Sequence, residues 1–171
     1  MARVRLITDR DQDLSPEQIE TFDRVVESRG RMIRPFEVLL HSPHLARHVA
    51  DLGAKIRFDS SLSDHDRELV IIAAARIHGC TFEWDFHLPL ARASGVREEV
   101  IEHLLEGSGY LTDTESLFIR FVRELCASNT VSTEIFDQAK SQLGESGVVE
   151  LSATIGYYTM LAMVMGACDA C

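Results

Sequence analysis

The chain has 171 residues, 46% apolar and 26% charged, the balance of one ordinary globular domain with a sizeable core. Its formal net charge of -10 sets it against nucleic acid and anionic membrane as partners, because both repel an acidic surface. The charged start lacks the apolar core of a signal peptide, and the strongest apolar runs, Leu69–Ala75 and Met160–Ala167, are too short to cross a bilayer, so a cytoplasmic location with reduced thiols is expected.

Residues 1–14 are polar with a brief Val4/Leu6 alternation and read as an N-terminal arm or short extended segment ahead of a helical domain over 15–171. Ser15-Pro16-Glu17-Gln18 opens the first helix, with Ser15 as N-cap, Pro16 in the first helical position and Gln18 closing a capping box. Ile19, Phe22, Val25 and Val26 form its apolar stripe, and Gly30 stops it. A short helix follows from Pro35 to about His41, and Ser42-Pro43 starts another to about Arg57.

After a loop at 59–62, Ser63 caps a helix whose first turns carry Asp64, Asp66 and Glu68, where the positive end of the dipole favours acids. Beyond Glu68 it is apolar on every side and should be buried all round; Gly79 ends it. The next helix starts at Cys80 and runs to about Ser94. Pro89 falls inside it and should kink or break it just after His87. Further helices are expected over about 97–106, behind the capping box Thr112-x-x-Glu115, from Ser132 to about Leu143, and from about Val148 to Ala167. With no strand pair and no repeat, the reading is an all-α single domain of about eight helices. The apolar surface of 64–79 and 148–167 points to burial of part of it between subunits of a homo-oligomer.

Chemistry concentrates in Cys80-Thr-Phe-Glu83-Trp84-Asp-Phe86-His87, where Cys80, Glu83, Trp84 and His87 recur at helical spacing. Glu83 and His87 read either as a surface pair or, among Cys80, Trp84 and Phe86, as an imidazole beside a carboxylate for general acid/base work near neutral pH. Glu68 is either a solvated helix-start acid or a carboxylate at the edge of an apolar pocket, suited to proton transfer. Cys80, at a helix start, is either an inert buried cysteine or a reactive thiol. Cys168-Asp-Ala-Cys171 is redox- or metal-capable, but it stands alone at a terminus where fraying would expose both thiols. His44 and His48 lack a third ligand nearby and read as solvated. No nucleotide-binding glycine motif and no G-x-S-x-G occurs, and no metal or cofactor is expected.

The segment Arg67-Glu68…Cys80-Thr-Phe-Glu83-Trp84-x-x-His87…Ala91…Gly95-Val96…Glu99-Val100-Ile101 resembles the carboxymuconolactone decarboxylase-like superfamily, which includes the AhpD alkylhydroperoxidases. The core of the resemblance covers residues 60–107. It implies an all-helical fold and a trimer or hexamer, with a dimer as the smaller option. AhpD-type peroxidases carry Glu, then Cys-x-x-Cys, then His. Glu68, Cys80 and His87 fall on those positions, but Glu83 stands where the peroxide-attacking cysteine would be, and Phe82 replaces the relay histidine before it. The lactone decarboxylases carry a similar Glu-x-x-x-His, matching Glu83 and His87, while generally lacking a glutamate at the Glu68 position; their later tyrosine-glycine-proline region finds no match here.

Three functions follow, in this order. The first is an acid/base enzyme of decarboxylase or isomerase type acting on a small carboxylated or carbonyl compound, with His87 as acid or base, Glu83 and Glu68 as its carboxylate partners, and Trp84 and Phe86 lining the substrate side. The second is a peroxidase using Cys80 as a single reactive thiol. The third is a non-catalytic oligomer that binds a small ligand.

Overall fold

The computed structural model describes residues 2–10 and 13–171; Met1, Asp11 and Gln12 of the expected arm lie outside the described residues. Among the described residues there are eight helices and no strand: α1 (Pro16–Arg29), α2 (Arg34–Leu39), α3 (Pro43–Phe58), α4 (Asp64–Ile77), α5 (Thr81–Ala93), α6 (Glu98–Glu106), α7 (Asp113–Ser128) and α8 (Thr133–Ala167). The all-α expectation holds. Contacts gather into two compact units, one of residues up to Asp59 together with Met163–Cys171, the other of Ser60–Ala162.

In the first unit the expected caps form. Gln18 N–H donates to Ser15 Oγ at 3.2 Å, Ser15 N–H donates to Gln18 Oε1 at 2.9 Å, and Gly30 takes the left-handed conformation that ends α1. Phe22 packs with Leu40 and Ile7, and Ile7 N–H donates to the Glu37 carbonyl at 3.1 Å, so this part of the arm is tied down. The chain end is ordered as well. Arg3 N–H donates to the Cys168 carbonyl at 2.8 Å and Ala170 N–H to the Met165 carbonyl at 2.8 Å, leaving Cys168 half-buried and only Cys171 exposed. The fraying that would expose both thiols does not occur, because backbone bonds and the buried Ala170 hold the last turn.

The second unit is built round α4, which packs against α5, α6 and α7. Ser63 Oγ accepts from Asp66 N–H to start it, and every residue from Arg67 to Ala75 is buried. Leu69, Val70 and Ile72 meet Phe118, Phe121 and Val122 of α7 and Leu151 and Ile155 of α8 in one core. The chain therefore covers the apolar run of α4 itself, without a neighbouring subunit. α8 is long and apolar enough by length and composition to cross a membrane, but half of its most apolar window is buried in the protein.

One expectation about a helix end is sharpened and another changes. The last two expected helices are both present, running as α8 with a kink between them at Gly144, whose φ of 73° and ψ of -178° only glycine adopts readily. Helix resumes at once, and Gly147 lies so close to Leu143 that a Cβ there would come within 2.6 Å of the leucine Cβ. α5 does not break at Pro89. The one carbonyl that loses its donor is that of Asp85, four residues back. Both residues are exposed, so water can take that bond.

The second capping box does more than start α7. Glu115 is buried, and its Oε2 accepts from Arg97 Nη2 at 2.6 Å, from Thr112 N–H at 2.7 Å and from Thr112 Oγ1 at 2.9 Å. Burial alone would push this carboxyl up, but Arg97 and Thr112 together outweigh it and hold the group below the usual glutamate value. A carboxylate held lower in the folded than in the unfolded chain stabilises above the unfolded value and loses that contribution as pH falls through the folded one. Glu115→Gln is expected to cost roughly 2 kcal/mol in urea unfolding at neutral pH, and the difference from the parent protein should vanish in acid.

Candidate functional site

Glu68 enters the interior because α4 is buried on all sides from its second turn onward. His87 and Glu83 enter it from α5, where four residues of separation place them one turn apart on the same face. The α4–α5 turn brings the two together. Gly79 takes a φ of 62°, and Cys80 N–H donates to the Ala75 carbonyl at 3.0 Å, folding α5 back on α4.

Three groups from two helices then meet. His87 Nδ1 shares a hydrogen bond of 2.8 Å with Glu68 Oε2, across 19 residues of sequence. On the other side of the ring, His87 Nε2 lies 3.6 Å from Glu83 Oε2. Glu68, Glu83 and His87 are 4%, 3% and 2% exposed, so all three sit in low dielectric, where such interactions are strong and unbalanced charge is costly. Tyr158 of α8 stands edge-on to the imidazole at 5.0 Å between ring centroids, and Phe86 lies tilted to it at 5.2 Å, itself stacked on Phe82. Arg67 Nε lies 3.8 Å from Glu68 Oε1, while its Nη2 donates to Asp64 Oδ1 at 2.9 Å.

Cys80 and Trp84 are placed differently. They line a small pocket of about 160 Å³ together with Ala75, Arg76, Gly79, Thr81 and Leu105, a lining that includes none of Glu68, Glu83 and His87. Cys80 is the N-cap of α5 and lies just outside the helix, so its side chain does not follow the helical period that joins Glu83 to His87. The four residues read as one helical face thus divide into an acid/base cluster and a thiol-lined pocket. The remaining candidates fall outside both. His44 and His48 are exposed, with His44 beside Glu17 at 3.3 Å, and no group of three or more metal-ligating side chains is found among the described residues.

Residues 43–117 match the Carboxymuconolactone decarboxylase family. The matched stretch runs from α3 into α7 and contains Glu68, Cys80, Glu83 and His87. The chain superimposes on the alkylhydroperoxidase AhpD core of an uncharacterized peroxidase-related protein from Ralstonia eutropha JMP134, with a TM-score of 0.79 and 14% identity, over 99% of this chain and 91% of that one. It also superimposes on an uncharacterized peroxidase-related protein from Silicibacter sp. TM1040, with a TM-score of 0.77 and 15% identity, over the same shares of 99% and 91%. No curated protein matches the chain.

Two residues beside the cluster, Tyr158 against His87 and Arg67 against Glu68, were not legible as site residues. Tyr158 reads in sequence as one more apolar position of the last helix, and only packing turns its ring to the imidazole. Arg67 reads as a charge at a helix start; its burial to 8% exposure follows from the packing around α4. Because the Glu68–His87 bond ties α4 to α5, Glu68→Ala removes the Nδ1 partner of a buried imidazole and should cost roughly 3 kcal/mol in urea unfolding, with Glu68→Gln markedly milder.

Proposed function

We propose that the protein is an acid/base enzyme of decarboxylase or isomerase type, acting on a small carboxylated or carbonyl compound. The observation that carries this reading is the buried imidazole of His87 set between two carboxylates, Glu68 at 2.8 Å and Glu83 at 3.6 Å. Glu68 orients the ring through its hydrogen bond at Nδ1, and the imidazole takes or gives the proton that moves in the reaction. Glu83, on the Nε2 side, shares that proton. Phe86 and Tyr158 keep water from the imidazole, which holds the exchange within the cluster. Trp84, which lines the neighbouring pocket, belongs to the substrate side. The working unit is a homo-oligomer, supported by the exposed apolar side chains of Leu105, Tyr110 and Val149, and it requires no nucleic acid or membrane partner.

A second reading has its own support. Cys80 lines a pocket beside Trp84, and the solved structures with this fold are described as peroxidase-related. In a single-thiol cycle the Cys80 sulfur would attack a hydroperoxide, giving a sulfenic acid and releasing the alcohol; an external thiol would condense with the sulfenic acid, losing water and forming a mixed disulfide, and a second external thiol would reduce that disulfide and restore Cys80.

The two readings separate cleanly. Against a panel of small keto acids, lactones and related carbonyl compounds, His87→Gln should lower turnover by roughly 10²–10⁴-fold; unchanged turnover of a substrate so found removes His87 from the mechanism. In stopped-flow mixing with an alkyl hydroperoxide, the acid/base reading expects no stoichiometric loss of thiol at Cys80. A loss that Cys80→Ser abolishes would place the peroxidase reading first.

A further inference from the structure

The pocket beside the acid/base cluster carries a positive charge that the reaction just described does not use. Arg76, in the last turn of α4, lines it together with Cys80, Thr81 and Trp84 at the start of α5 and with Ala75 and Leu105. Arg76 Nε donates to the Leu104 carbonyl at 3.2 Å and Nη2 to the Leu105 carbonyl at 3.4 Å, both near the end of α6. Those carbonyls have no net charge, so they hold the guanidinium in place without neutralising it. Among the described residues Arg76 meets no carboxylate, whereas Arg92 and Arg97 are paired with Glu98 and Glu115.

What this leaves open is chemically specific. A guanidinium offers a bidentate acceptor either its side, Nε with Nη2, or its end, Nη1 with Nη2. α6 occupies the side, and the end remains for a planar carboxylate. The Thr81 hydroxyl has no partner among the described residues and is a donor for the same group. Ala75, Trp84 and Leu105 make the rest of the wall apolar, as in pockets that hold an organic body by its shape and orient it by a few polar groups. The volume of about 160 Å³ is that of a void holding one benzene-sized ring. Arg76, Thr81 and Leu105 are exposed, so a ligand has a way in from solvent. The net charge of -10 opposes anions at long range, but salt screens that field within about 8 Å, and the local contact then decides.

We infer that this pocket is a binding site for a small, flat organic carboxylate, with the acid group on the free end of the Arg76 fork and the apolar body beside Trp84, Ala75 and Leu105. The inference goes beyond the acid/base reading and does not rest on it, because the lining contains none of Glu68, Glu83 and His87.

The chain has a single tryptophan, so the one indole N–H signal in a nitrogen–proton correlation spectrum reports on Trp84 without further assignment. Titration of the intact protein with benzoate should move that signal saturably, with a dissociation constant on the order of 1 mM. Benzamide keeps the ring and loses the charge; acetate keeps the charge and loses the ring. Each should bind about tenfold more weakly or worse. Arg76→Met should weaken benzoate about tenfold and leave benzamide within about twofold, which assigns the loss to the charged contact. An indole signal that benzoate leaves unmoved, or benzamide or acetate binding as tightly as benzoate, overturns the inference. So does an Arg76→Met protein that binds benzoate as the parent does, or that loses benzoate and benzamide alike. Should Arg76→Met fail to fold, Arg76→Gln serves for the same comparison with the same direction expected, and the three ligands on the unmodified protein decide independently.

Discussion

The hydrogen bond between Glu68 and His87 is the constraint on which the rest of the second unit depends. It joins the two helices on either side of a tight turn, inside a core that admits neither group without a partner. Burial of two such groups is not a route to stability, since the loss of hydration offsets most of what the contact returns. The arrangement makes sense as a device that fixes register and orientation. α4 cannot rotate without withdrawing Glu68, and α5 cannot slide without moving both Glu83 and His87. The apolar surroundings then raise the stakes: every charge in the cluster must be matched by a neighbour or by a proton.

That requirement divides the chemistry of the region. The acid/base groups and the Cys80 residue are all buried, Cys80 at 1% exposure, but Cys80 lies on the wall of a separate pocket with Trp84 and Thr81. Helix geometry accounts for the division. Glu83 and His87 are one turn apart within α5, while Cys80 precedes the first helical residue and turns with the loop instead.

Much of the fold was legible because its signals are local. Capping boxes at Ser15 and Thr112, the Ser63 cap, and glycines at positive φ after α1 and α6 mark helix ends by hydrogen bonds within a few residues. The helix over 64–77 announced its burial by having no polar face after Glu68. Solvent and a single backbone angle refine the reading. Pro89 lies inside α5 without ending it, at an exposed position, and the expected break at 144–147 narrows to Gly144, one residue of positive φ between two helices. The C-terminal cysteines stay partly covered because backbone bonds from Arg3 and Ala170 reach residues no local pattern relates.

The sequence by itself determined that this is an all-helical chain and that Glu68, Glu83 and His87 are its candidate acid/base groups; the spacing of Glu83 and His87 within one helix fixes their common face. Only the tertiary structure decided that Glu68 reaches the imidazole, that Glu83 lies on its opposite nitrogen, that Arg67 and Tyr158 belong to the same environment, and that Cys80 and Trp84 line a pocket of their own. The reason is one of range. Helical periodicity relates residues three and four apart, whereas the distance between side chains 19 or 71 positions apart is set by how α4, α5 and α8 pack, and packing is a property of the whole core.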